Sequence, residues 1–376
     1  ALALGTALLL PDVASAQIVA YKPAPASQQA TVLSAGNGIP VVNIQTPSAA
    51  GVSRNTYSQF DIGTAGAILN NSRGNVATQL GGWVQGNPWL AKGSANIILN
   101  EVISANPSLL SGYLEVAGQR AQVIIANPAG VTCSGCGFLN ASRATLTTGT
   151  PILNGGALDG YRVHGGSIRI DGAGMDASRT DYTDIIARAV EVNAGIWAQT
   201  LKVTAGVNQI DAAHAQLTPI PVNGAAPAFA IAVAQLGGMY ANKIHLIGTE
   251  AGVGVNNAGT VAAAAGEIVV TADGRLINRG SLVTDAQALT INARGIDNRG
   301  TLAGGDSLIL SSRGGIDNRG LINAGREVRL DVTGQIINAE QAVIDARRLD
   351  LHATSLDNRG TLRQSGAQAL SLTAAR

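Results

Sequence analysis

Two cysteines and four histidines are the chain's only thiol and imidazole groups, and their spacing limits the chemistry they could support. Cys133 and Cys136 bracket Ser134-Gly135. A zinc site would need two further ligands, and His164, His214, His245 and His352 lack the spacing to supply them. A thioredoxin-like redox pair would need a βαβ context and a helix start, and neither is visible. Asp181 and Asp184 flank Tyr182-Thr183, but paired carboxylates without a metal partner read as a polar turn. His164, beside Gly165-Gly166, reads as a surface or packed histidine rather than a base. No G-x-S-x-G, H-E-x-x-H or P-loop pattern occurs, and no G-x-G-x-x-G opens a helix. No catalytic residue, metal site, cofactor or small-molecule substrate is therefore expected. Asn70-Asn71-Ser72 and Asn140-Ala141-Ser142 match the glycosylation sequon, a three-residue signal with no supporting context.

Two Asn-Pro segments carry conformational rather than covalent chemistry: Asn87-Pro88-Trp89-Leu90 and Asn127-Pro128-Ala129-Gly130-Val131. Asparagine hydrogen-bonds its own backbone, proline fixes φ, and Gly130 admits a positive φ, so both segments are turns. Corners of a larger coil would use them in this way.

The C-terminal third of the chain repeats. Leu276-Ile277-Asn278-Arg279-Gly280 returns as Ile296-Asp297-Asn298-Arg299-Gly300 and as Ile316-Asp317-Asn318-Arg319-Gly320. It degrades to Ile336-Ile337-Asn338-Ala339-Glu340 and recovers at Leu356-Asp357-Asn358-Arg359-Gly360. The asparagines thus recur every 20 residues. A second register keeps step at Leu289/Ile291, Leu308/Leu310, Val328/Leu330, Leu349/Leu351 and Leu370/Leu372, and a third at Leu282, Leu302, Ile322 and Leu362. Each unit offers three short strands and cannot bury its apolar points alone, so it must stack on its neighbours at about 4.8 Å per coil. A leucine-rich repeat would need a helical outer segment, which these glycine-rich units do not provide. The expected fold is all-β: a right-handed parallel β-helix over residues 40–376, with an N-terminal β cap, extra-helical strands and one ladder of Asn278, Asn298, Asn318, Asn338 and Asn358. The cap is expected within residues 17–60, where Gly36-Asn37-Gly38 turns the chain before the strand Val41-Val42-Asn43-Ile44. Phe229, Ile231 and Val233 alternate with Ala228, Ala230 and Ala232, the period of a strand facing a core.

Composition agrees. The apolar set is 46% but aromatics only 3%, so small and β-branched residues must fill the interior. Net charge is +1, which leaves no electrostatic footprint for nucleic acid or an anionic membrane. Ala1 to Leu10 is an apolar run too short to span a bilayer, followed by Ala14-Ser15-Ala16, a cleavage pattern. Residues 1–16 are read as a signal-peptide remnant, so the protein is expected to be exported.

Residues 40–250 resemble the secretion domain of two-partner secretion exoproteins, the family of filamentous haemagglutinins, secreted haemolysins and contact-dependent growth inhibition exoproteins. The likeness is carried by Asn96 to Val102, Tyr113 to Gly118, Val123 to Phe138 and Ala144 to Gly149, and the following repeats look like haemagglutinin repeats. The division this implies is a secretion domain at 17–255 and 20-residue repeats at 256–376. The family shows N-P-N-L and N-P-N-G-I where this chain has Trp89 and Ala129 in place of the second asparagine. The resemblance implies that Asn87, Pro88 and Leu90, with Asn127, Pro128 and Gly130, serve recognition by the outer-membrane partner as well as forming turns. The resemblance further implies that this partner is an Omp85-type β-barrel whose periplasmic POTRA domains bind the chain in an extended form, and that the protein reaches the bacterial cell surface by way of the periplasm. An adhesin, haemolysin or growth-inhibition toxin would be presented to a host or neighbouring cell. In an exported protein Cys133 and Cys136 read as a local disulfide, and similar pairs in part of the family support this. The loop it closes is so short that it contributes only about 2 kcal/mol. The competing functional class is a self-contained β-helix enzyme acting on polysaccharide. It would need acids or lysines clustered on one face, and the only lysines are Lys22, Lys92, Lys202 and Lys243.

Overall fold

The structure, a computed structural model, describes residues 17–374; the leader expected at 1–16 lies outside the described residues. Among the described residues there is no α-helix. The strands wind into a parallel β-helix of about 13 turns. Each turn of the repeats presents three faces, as in Ser307–Ser312, Ile316–Asn318 and Leu321–Ala324. Successive turns stay in register: Leu308 lies beside Val328, Ile316 beside Ile336, and Leu302 beside Ile322. At two corners a single strand runs from one face to the next, Ile268–Asn278 and Leu289–Asn298, so two faces form one sheet of 23 strands. The third face is a separate sheet of 14 strands.

Alternation decides what faces inward. Along Ile268–Asn278 every second residue from Ile268 to Asn278 is buried. Leu276, Ile296, Ile316 and Ile336 stack in one inner column, with Leu282, Leu302, Ile322 and Ile344 in another. Burying each such side chain is worth about 1.5–3 kcal/mol, so the column is the main source of stability. Large buried rings, Tyr57, Phe60 and Phe138, sit in the early coils. The expected alternation at Phe229–Val233 is broken by a register shift between Phe229 and Ile231. Ala230, Ile231 and Val233 are buried there, and Phe229 is only half-buried.

The cap is shorter than expected. Ile18–Ala20 runs antiparallel to Val52–Phe60, and Thr31–Ser34 antiparallel to Pro40–Asn43. Pro40–Asn43 and Val52–Phe60 already pair in parallel with the next turn, at Ala67–Asn71 and Ile97–Val102, so residues 40–60 belong to the first coil. The two antiparallel strands cover an edge of each sheet, the device that prevents edge-to-edge association.

Two antiparallel excursions leave the stack. One is the hairpin Val76–Thr78 with Gly82–Val84. The other is a four-stranded sheet of Thr150–Asn154, Ala157–Val163, Asn208–Asp211 and Leu217–Pro219. Leu158, Tyr161, Val163 and Ile210 of that sheet cover Leu99, Ile124, Ala126 and Ile186 on the outside of the coil. Strands buried on both faces read as continuous apolar runs, which is why Val123-Ile124-Ile125-Ala126 does not alternate.

Candidate functional site: two buried Asn-Pro corners

Asn87 and Asn127 occupy equivalent corner geometries. Asn87 caps the short turn Pro88–Leu90: its Oδ1 accepts from Trp89 N at 3.0 Å, and its Nδ2 donates to Ile44 O at 2.8 Å and Asn70 O at 2.9 Å. Asn127 Oδ1 accepts from Ala129 N at 2.9 Å, while its Nδ2 donates to Asn106 O at 2.9 Å and Ser108 Oγ at 3.0 Å. Gly130 completes that turn with φ 119°, and its amide donates to Asn127 O. Both asparagines are buried, as is Leu90, whereas Pro88, Trp89, Pro128 and Ala129 face solvent. Trp89 has a job of its own here: its Nε1 donates to Thr31 Oγ1 on the capping strand at 3.3 Å.

Cys133 and Cys136 are joined by a disulfide across Ser134-Gly135, with Cα atoms 5.3 Å apart. It fastens the corner between Val131–Cys133 and Cys136–Leu139, which lie on different sheets. The asparagine ladder forms as spaced. Asn278 donates to Asn298 at 2.8 Å, Asn298 to Asn318 at 2.8 Å, Asn318 to Asn338 at 2.9 Å and Asn338 to Asn358 at 2.8 Å. It begins one coil earlier than the repeats suggest, because Asn257 donates to Asn278 at 2.8 Å. That spacing is 21 residues and lacks the following Arg-Gly, so periodicity alone passes over it. The repeat arginines pair locally, Arg299 with Asp297, Arg319 with Asp317 and Arg359 with Asp357.

Other polar residues matter that their sequence context does not signal. Glu115, buried, accepts from Gln79 N and Leu80 N at 2.8 Å each and so holds the tip of the first hairpin against the coil. Arg188 and Glu250 form a two-pronged pair at 3.1 and 2.8 Å. Asp184, expected in a turn, is instead buried in a strand, 2.8 Å from His214 Nδ1 and 3.4 Å from Arg143 Nε. The His214–Asp184 contact is close but poorly aligned for hydrogen bonding, and it pins the four-stranded sheet to the coil. Asp181 pairs with Arg120, and His164 is exposed. Both sequon asparagines bond the chain itself: Asn70 donates to Asn43 Oδ1 at 2.7 Å, and Asn140, at φ 57°, donates to Val116 O at 2.8 Å. Among the described residues no three His, Cys, Asp or Glu side chains are grouped to hold a metal ion.

Comparison with known proteins adds the following. A family model described as TPS secretion domain matches residues 16–278, and one described as haemagglutinin repeat matches residues 263–320 and 322–375. The chain is 59% identical over 287 residues to Toxin CdiA of Yersinia pestis, covering 76% of this chain and 9% of that protein. It is 51% identical over 252 residues to tRNA nuclease CdiA-2 of Burkholderia pseudomallei strain 1026b, covering 66% of this chain and 8% of that protein. The chain therefore spans less than about a tenth of the length of these curated relatives. The crystal structure of the filamentous hemagglutinin secretion domain superposes with a TM-score of 0.60 at 29% identity, over 92% of this chain and 99% of that one.

Proposed function

The chain belongs to the TPS secretion domain family, and we propose that it is the N-terminal secretion and scaffold module of a large two-partner exoprotein. In this proposal the POTRA domains of an Omp85-type outer-membrane transporter read the unfolded chain in the periplasm. The chain then folds at the cell surface, and its β-helix carries outward an adhesin, haemolysin or growth-inhibition toxin. The capped end is the first to form, and later coils add to it.

The observation that supports this order is the burial of Asn87 and Asn127. Every polar atom of both side chains is engaged inside the folded coil. A partner that reads these amides must therefore do so before the coil closes.

The same burial sets the test. Asn127→Ala removes all three hydrogen bonds of a buried side chain, roughly 3 kcal/mol, so both refolding and export should fall. Pro128 is exposed in the folded state, so Pro128→Ser alters the motif while leaving the Asn127 bonds in place. Export of Pro128→Ser with its transporter should fall about tenfold or more while its refolding yield stays normal, a loss equivalent to about 1.4 kcal/mol of recognition. Normal export of Pro128→Ser would reduce the motif to a structural corner. The polysaccharide-enzyme alternative gains no support from the Asp184–His214 pair, which both partners spend beneath the four-stranded sheet.

A further inference from the structure

Three aromatic rings lie flat on the outside of the 14-stranded sheet. Tyr113, Gly137, Asp176, Trp197 and Tyr240 follow one another in register across five neighbouring strands, forming one outward column along the stack. Each ring is laid over a glycine. A Cβ on Gly137 would come within 2.4 Å of the Tyr113 ring, one on Gly195 within 2.5 Å of the far edge of Trp197, and one on Gly238 within 2.7 Å of Tyr240. These three glycines do not adopt positive φ, so it is the room they leave, not backbone conformation, that seats the rings. The Trp197 and Tyr240 rings lie 6.3 Å apart and within 17° of parallel, and they are 45% and 39% exposed. The coil itself does not need them, since the same column continues with Ala262, Val283 and Ala303.

Beside the rings runs a short ladder of exposed amides. Gln199 Nε2 donates to Ser178 O at 2.9 Å, and Asn242 Nδ2 donates to Gln199 Oε1 at 2.7 Å. Each amide nitrogen keeps a second N–H to offer. The one charge in the column, the Asp176 carboxylate, is held by two neutral hydroxyl donors and acted on by the nearby Arg179. Tyr113 donates to Asp176 Oδ2 at 2.7 Å and Ser178 donates to Asp176 Oδ1 at 2.6 Å. No lysine or arginine stands in the column between Tyr113 and Tyr240. A nucleic acid would stack its bases on such rings, but its phosphates would find no cations in the column. The complementary ligand is uncharged, with flat C–H faces to set against the negative ring faces and hydroxyls to meet the amides. We propose that this strip binds a neutral hexopyranose chain, with sugar rings on Trp197 and Tyr240 and hydroxyls on Gln199 and Asn242. It is independent of the export reading.

Binding would be measured by isothermal titration calorimetry on the full chain, with cellohexaose and the β-1,4-linked hexamer of N-acetylglucosamine as probes and a sulfated heparin hexasaccharide as the charged control. At least one neutral hexamer should saturate the protein. Trp197→Ala should weaken it about tenfold or more, since one lost aromatic contact is worth about 1.4 kcal/mol. Gly195→Ala keeps the tryptophan but displaces its ring, and should weaken binding while the melting temperature and far-UV spectrum stay unchanged. The melting temperature of Trp197→Ala gives the same control. Four results would overturn the proposal: no saturable neutral binding, binding that survives both substitutions, preference for the sulfated hexamer, or a dimer that Trp197→Ala dissociates in sedimentation.

Discussion

At the scale of single residues, polar groups in this molecule are used to hold backbone that a repeating strand cannot hold for itself. Glu115 is the clearest case. Its two oxygens take the amides of Gln79 and Leu80, which no ladder strand reaches. Glu115→Gln would offer an amide N–H₂ to one of those donors and leave it unpaired in a buried setting. Such a loss costs about 2 kcal/mol. It should be local: amide exchange across Val76–Thr78 and Gly82–Val84 should accelerate, while Ala67–Asn71 stays protected. Equal acceleration in both would show that Glu115 supports the coil rather than the hairpin. The turns at Asn87, Asn127 and Gly130 could be read in the sequence because the bonds that close them span two or three residues, whereas the Nδ2 bonds of the two asparagines, to Ile44, Asn70, Asn106 and Ser108, leave no local trace. Glu115 and the Asp184–His214 pair could not, because their partners lie 30 or more residues away and belong to no shared period.

At the scale of elements, the period carries most of the information. The inner columns through Leu276, Leu282 and the Leu289/Ile291 pair are legible as spacing, and so are the five asparagines; the buried column Ala272, Ala293, Ser312 and Val332 is not, because its small and mixed residues carry no apolar period. The four-stranded outer sheet was not, because its strands are separated by whole coils and pair antiparallel outside the period. Its trace in the sequence is negative: the apolar runs that fail to alternate at Leu99, Ile124 and Ile186 mark the surface it covers. The repeat exterior has its own signature in pH. Hydrogen bonds from Arg326, Arg363 and Arg359 hold the carboxyls of Asp306, Asp345 and Asp357 below the ordinary range. Burial lowers His245, outweighing the hydrogen bond to Glu267 that would raise it. The signs follow directly. A depressed histidine loses stability as pH falls below its unfolded value of about 6.5, and depressed carboxylates lose theirs only below about 4. Thermal melts should therefore show a small loss beginning below about pH 6.5 and a second below about pH 4. His245→Gln should remove only the first. A first step that persists in His245→Gln would assign it to another group.

At the scale of the whole molecule, the stack has a direction: antiparallel strands cover its N-terminal end, and parallel coils follow one another from there. The TPS and haemagglutinin-repeat matches overlap across residues 263–278, and the strand Ile268–Asn278 runs through that overlap without a break. The division at 255/256 that the resemblance implies falls within the strand Gly254–Asn257, which pairs with Phe229–Val233 on one side and Ile268–Asn278 on the other. Each coil is stabilised by its neighbours, so a fragment's fate depends on how many of its edges are open. Residues 17–255 keep the antiparallel strands Ile18–Ala20 and Thr31–Ser34 and have one open end. Residues 256–376 have two open ends and lack those strands. The first fragment should fold as a monomer with a cooperative melt. The second, expressed alone, should fail to fold or should self-associate through its unpaired edges. Removing only residues 17–39 leaves the first coil intact but uncovers Pro40–Asn43 and Val52–Phe60, and should convert the full chain into sedimenting aggregates. If 256–376 alone were monomeric and melted at the temperature of the full chain, the repeats would nucleate themselves. The capped end would then have lost its claim to seed the stack.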